Sequence, residues 1–221
     1  MNIARFFCPQ DHAAGNALLN WTGRPVQDLV AYAETYRSAA CRLVHAHREL
    51  KITALDHHAL PVLFLYRHSF ELFLKAIVYF SATISISESK IATALPRLWR
   101  EHSLVRLHAM AAPVLQESRP ALVDAADLGQ AILRMARLID DIDPGSYSFR
   151  YPVTTTGQAS LPNPLLTNIF SFSEAIEEVL SDALDFCRGL GHDSRPASKQ
   201  MKLALHGLVG RGAPNVTSQT P

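Results

Sequence analysis

Between Leu63 and Ala76 the chain carries its most apolar segment, yet Arg67, Glu71 and Lys75 recur within it at every fourth position. On a helix that spacing stacks the three charges along one face. Charges set among Leu and Phe side chains cost free energy unless they are paired and hydrogen-bonded. Glu71 followed by Lys75 has the favourable order for an i,i+4 ion pair. Two readings follow. The stripe is either an ion-pair ladder that fixes helix register, or one wall of a polar groove shared with groups from later in the chain.

The same charges decide the surroundings. Residues 62–86 have the length and hydropathy of a membrane span, but Arg67, His68, Glu71 and Lys75 sit in its middle, where each is costly in lipid. No membrane partner is expected. Met1 to Pro9 lacks the apolar core of a signal peptide, and the three cysteines, Cys8, Cys41 and Cys187, are odd in number and show no Cys-x-x-Cys spacing. A cytoplasmic protein without a disulfide framework is the expectation. The formal charge of +1 gives no global bias, so nucleic-acid binding needs a local patch. Arg outnumbers Lys sixteen to five, a skew that suits anion contacts and equally suits a GC-rich genome.

The 221 residues suffice for one sizeable domain. Residues 1–23 read as an irregular lead-in, 24–191 as a helical bundle and 192–221 as a disordered tail with one transient helix near Lys199 to Val209. Pro25 suits the first turn of a helix running to Leu50. A second helix is predicted from an N-cap at Asp56 to Phe80, followed by a loop or short strand over 81–90. A third helical region spans Ser89 to Glu117, punctuated by Pro96 and Pro113, and Pro120 opens a fourth that ends at Asp141. Asp143-Pro144-Gly145-Ser146 is a turn signal, and Tyr147 to Val153 alternates like a strand or extended arm. Ser171 or Ser173 caps a last helix that stops at Gly189 and Gly191. The predicted class is all-α: an antiparallel four- to five-helix bundle with a short extended insert before the last helix.

Three constellations carry possible chemistry. The first is the stripe itself. The second is His102-Ser103-Leu104, which follows Arg97, Arg100 and Glu101 at a helix start. It serves either as a cap or as a set of donors for an anion. The third is Asp143, Ser146, Arg150 and Tyr151 in one irregular segment. It is either a ligand-contact loop or an arm pinned across the bundle, with Arg150 paired to a core carboxylate such as Glu71. Together they predict a groove of Arg67, Glu71, Lys75, His102, Asp143 and Arg150. No Glu-x-x-His di-iron signature, phosphate-cradling Gly-rich loop, zinc helix or nucleophile elbow occurs. The pairs His45/His47 and His57/His58 are badly spaced for one helical face, so neither a metal nor a cofactor is expected.

With those residues in place, the chain resembles the HEPN superfamily of small bacterial helical bundles. The resemblance rests on Arg67-His68-Ser69-Phe70-Glu71-Leu72-Phe73-Leu74-Lys75-Ala76, on His102-Ser103-Leu104, and on Phe149-Arg150-Tyr151-Pro152, which is similar to an element of one uncharacterised subgroup. It covers about residues 25 to 190. It implies an all-α homodimer that binds RNA or a nucleotide in a toxin–antitoxin or phage-defence setting, with an antitoxin or nucleotidyltransferase as partner. It also implies, as an alternative, a metal-independent endoribonuclease. There an Arg and a His, four to six residues apart, meet their dimer mates, the His moving a proton and the Arg stabilising the phosphate. Arg97 and His102 would be that catalytic pair. Arg5/His12 and Arg42/His47 share the spacing, and none of the three pairs lies on a late helix after the insert, where the superfamily usually keeps its motif. A non-catalytic structural partner subunit is the third implied role.

Overall fold

Pro25 opens the first helix of the computed structural model, α1 (Pro25–Glu49), as its missing N–H costs nothing at a first turn. The structure describes residues 17, 24–51, 55–85, 96–117, 125–161 and 163–190. The predicted tail and, apart from residue 17, the predicted lead-in lie outside these, as does Pro120. After α1 come α2 (Ala59–Ser85), a short helical segment over 96–100 (α3), α4 (Leu104–Glu117), α5 (Ala125–Asp140) and α6 (Ile169–Leu190). The protein is all-α in its described residues.

α2 is the central element and packs against α1, α4 and α6. Tyr66, Phe70, Phe73, Leu74 and Ile77 on it are fully buried. Each such side chain contributes about 1.5–3 kcal/mol by leaving water. α1 runs antiparallel to α2: Ser69 Oγ donates to the Ala33 carbonyl at 2.8 Å, the Tyr36 and His68 rings meet at 4.5 Å, and His47 lies against His58. α6 runs antiparallel to α1, tied by Arg188–Glu34, Arg37–Glu177 and Arg48–Glu174 ion pairs. These partly exposed pairs set register more than they add stability, at about 0–1 kcal/mol each.

Several boundaries differ from the sequence expectation. α2 continues to Ser85, so the predicted loop or strand beginning at 81 starts no earlier than 86. Pro113 lies inside α4 rather than at a break, and the real break in that region is 101–103, between α3 and α4. α6 starts before either predicted serine cap. Asn168 Oδ1 accepts the Phe170 and Ser171 N–H groups, whereas Ser173 is buried against the Tyr66 hydroxyl at 3.1 Å.

The insert lies between α5 and α6, as predicted, but Tyr147–Val153 is not a strand. The Tyr147 carbonyl accepts the Arg150 and Tyr151 N–H groups, both at 3.0 Å, which makes one helical turn. Only Val153 bridges, to Ala159, around a tight turn at Gly157 with φ +79°. In the Asp143–Ser146 turn the left-handed residue is Ser146 (φ +59°) and not Gly145.

Candidate functional site

The stripe on α2 is the floor of a buried charge network. Arg67 is wholly buried, and each of its three nitrogens donates to a different part of the chain. Nη1 reaches Glu71 Oε2 at 2.9 Å, Nη2 the His102 carbonyl at 2.7 Å, and Nε the Asp143 carbonyl at 3.1 Å. Nε also lies 3.0 Å from Asp143 Oδ2, which pairs by charge without accepting a hydrogen bond. Lys75 Nζ donates to Glu71 Oε1 at 2.7 Å and to the Trp99 carbonyl at 3.3 Å. Two cations thus face two carboxylates, Glu71 and Asp143, and the formal charge of the buried set is zero. That balance is what lets four charges occupy an apolar interior.

Glu71 has a third partner. His102 Nδ1 lies 2.9 Å from Glu71 Oε1, with the imidazole 47% exposed. Burial alone would raise the Glu71 carboxyl; Lys75, by charge and hydrogen bond, with Arg67 and His102, outweighs it and holds the group below its ordinary 4.5. An ionised carboxylate is an acceptor only, so Nδ1 carries the proton and Nε2 is the nitrogen left for other contacts. His68, next to Arg67, is lowered from 6.5 chiefly by burial, against Glu71 and with help from Lys75, Arg67 and Arg150.

Asp143 joins the network, and its Oδ1 accepts the N–H groups of Tyr147 and Ser148, holding the helical turn that follows. Arg150 does not pair with Glu71. Its Nε donates to the Ser146 carbonyl at 2.6 Å, and its guanidinium lies over the Phe64 ring at 5.5 Å and the Tyr151 ring at 5.4 Å. Arg67 and Lys75, one turn either side of Glu71 on the same face of α2, hold that carboxylate instead. Arg97 is half-buried on α3; the side chains that meet Glu71 are Arg67, Lys75 and His102.

The helix start after His102, expected from sequence to be a cap or an anion site, has its anion supplied by the chain itself. Asp140, at the end of α5, accepts from Ser103 Oγ and from the Leu104 and Val105 N–H groups at 2.7–3.0 Å, while Ser103 Oγ accepts the Arg106 N–H. Glu101 Oε1 takes the His102 and Ser103 N–H groups. Asp140 was missed because it acts on a helix more than thirty residues earlier, with no local signal. Tyr147 was missed as well, although its spacing of four from Tyr151 is a helical one.

Among the described residues no group of three or more metal-ligating side chains occurs, and no helix is long and apolar enough to cross a membrane. A groove runs along α1 past Thr35, Ser38, Ala39 and Arg42, and Arg67, Glu71, Lys75, His102, Asp143 and Arg150 do not line it. No family model, curated protein or solved structure matches this chain.

Proposed function

We propose that this chain is a HEPN-like module that binds RNA or a nucleotide, in a toxin–antitoxin or phage-defence setting, through the exposed rim of the charge network. The observation that carries the reading is His102: a buried, ionised Glu71 fixes its tautomer while nearly half of the ring meets solvent. Arg100 and Arg106 are exposed on either side of it. The interior members, Arg67, Glu71, Lys75 and Asp143, balance one another in charge and support the rim without touching the ligand. Phosphate contacts by Arg and His supply affinity that is independent of sequence and falls with salt.

The test is fluorescence anisotropy of a labelled single-stranded RNA of about 12 nucleotides, titrated at several salt concentrations. Arg100→Ala and Arg106→Ala are each expected to weaken binding uniformly and to reduce the log–log salt slope by about 0.7, the value for one single-strand phosphate. Binding that is absent, or unchanged in both variants, would contradict the reading. A homodimer belongs to the same proposal and is read by analytical ultracentrifugation.

A second reading is favoured by the Glu71–His102 contact. A carboxylate that holds Nδ1–H leaves Nε2 placed to take or give a proton at a ribose hydroxyl, with Arg97 on the preceding turn stabilising the phosphate. Metal-independent endoribonuclease activity would appear as RNA cleavage in EDTA, lost in His102→Ala with folding intact. Full cleavage in that variant would remove the reading.

A further inference from the structure

The charge network ends at a surface turn whose side chains it does not need. Asp143, held by Arg67, caps the turn, and the Tyr151 N–H closes it on the Tyr147 carbonyl at 3.0 Å. That i,i+4 geometry brings the two tyrosine rings together at 4.6 Å between centroids. Arg150 lies against Tyr151 on one side and Phe64 on the other, Phe64 stacks on His68 at 5.6 Å, and His68 meets Tyr36 edge-on. The result is a continuous line of ring and cation–π contacts from α1 through α2 to the turn, Tyr36–His68–Phe64–Arg150–Tyr151–Tyr147. Tyr36, His68, Phe64 and Tyr147 are half-buried, whereas Arg150 is exposed and Tyr151, between Arg150 and Tyr147, is 46% exposed.

A turn that only pinned the arm would need the Phe149 side chain, which is buried, and not an exposed tyrosine beside an exposed arginine. The Arg150 guanidinium is anchored through Nε, and among the described residues its two terminal nitrogens donate no hydrogen bond. The turn is further fixed by Ser160, whose hydroxyl donates to the Tyr151 carbonyl and whose N–H donates to the Pro152 carbonyl. Rigid rings beside unspent Arg donors match a flat π-face linked to a phosphate. A base paired in a duplex cannot offer its face in this way.

We infer that the Tyr147–Tyr151 turn is a stacking platform for an unpaired nucleobase, with Arg150 binding the phosphate attached to it. This rests on the proposed RNA or nucleotide binding and names its ligand class. The shared chemistry is a base plus a phosphate, from a single strand or from a free nucleotide.

The experiment uses the full chain and a single-stranded RNA of about 12 nucleotides with a central 2-aminopurine, whose fluorescence falls on stacking. A hairpin duplex and adenosine monophosphate are the comparison ligands. The native protein is expected to quench the probe and to prefer the single strand to the duplex. Tyr151→Ala is expected to abolish quenching and to weaken binding by about 5- to 150-fold, the range of one base–aromatic stack. Tyr151→Phe, which keeps the ring, restores most of that loss, and circular dichroism checks the fold of each variant. Displacement of the strand by adenosine monophosphate at similar concentration assigns the site to free nucleotides; failure to displace assigns it to the strand. If the native protein binds RNA but Tyr151→Ala binds and quenches equally, the platform is wrong and the rim at His102 stands. Preference for duplex overturns the platform too. If no RNA or nucleotide binds, both proposals fall.

Discussion

Arg67 bears the most connections of any side chain in the network, with one guanidinium joining Glu71, the 102 carbonyl and residue 143. Arg67→Met leaves Asp143 buried without its counter-charge, and removing one partner of a buried pair costs about 3–5 kcal/mol. The expected fall in Tm is about 6–20 °C for a chain of this size, read by differential scanning calorimetry. A fall within error would mean that water already compensates these charges. Protons act in the same direction. Glu71 titrates below 4.5 in the folded protein, so its contribution is complete above 4.5 and is lost as pH falls through the lower, folded value. His68 and His108 are both held below 6.5, chiefly by burial, so the folded state binds fewer protons than the unfolded chain just under that pH. Stability against urea is therefore expected to decline as pH drops below 6.5 and again below 4.5. His68→Phe should flatten the first decline, and an unchanged profile in that variant would remove His68 from the account.

At the scale of the element, the helix start at 103–106 is held from outside by Asp140. Asp140→Ala removes acceptors for one hydroxyl and two N–H groups and is expected to cost about 1–2 kcal/mol, seen as a lower urea midpoint with unchanged slope. Asp140→Asn should recover part of it, because an amide oxygen still accepts; a neutral Asp140→Ala would show that Ser103 alone caps α4. Elements like this one mark the limit of reading the chain directly. The period of Arg67, Glu71 and Lys75 revealed both the helix and its internal pairing, since those contacts are four residues apart. Asp143 as a partner for Arg67 lies 76 residues away, and no spacing rule reaches that far. Arg150 was matched to Glu71 on charge alone, while its actual neighbours are rings and a carbonyl. The serines at 171 and 173 were plausible caps by type, but Asn168 sits where the chain turns, and packing put Ser173 inside. Local chemistry was legible, as was the gathering of His102 and Asp143 around the stripe; the atom-by-atom pairing that decides which group faces solvent was not.

Across the whole molecule the buried charges and the exposed side chains form one construction. α2 holds Arg67, Glu71 and Lys75; these fix the chain at 99–102 and at 143; and those two points present His102 on one side and the Tyr147–Tyr151 turn on the other. Stability and binding therefore fall to different side chains. Substitutions in the interior should lower Tm first, and substitutions at His102, Arg150 or Tyr151 should lower affinity with little change in Tm. The most direct measurement is hydrogen–deuterium exchange of the full chain with and without saturating single-stranded RNA. Slower exchange is expected, confined to peptides covering 99–106 and 146–152. Unchanged exchange in both segments, or protection found along the α1 groove at Thr35 to Arg42 instead, would contradict it.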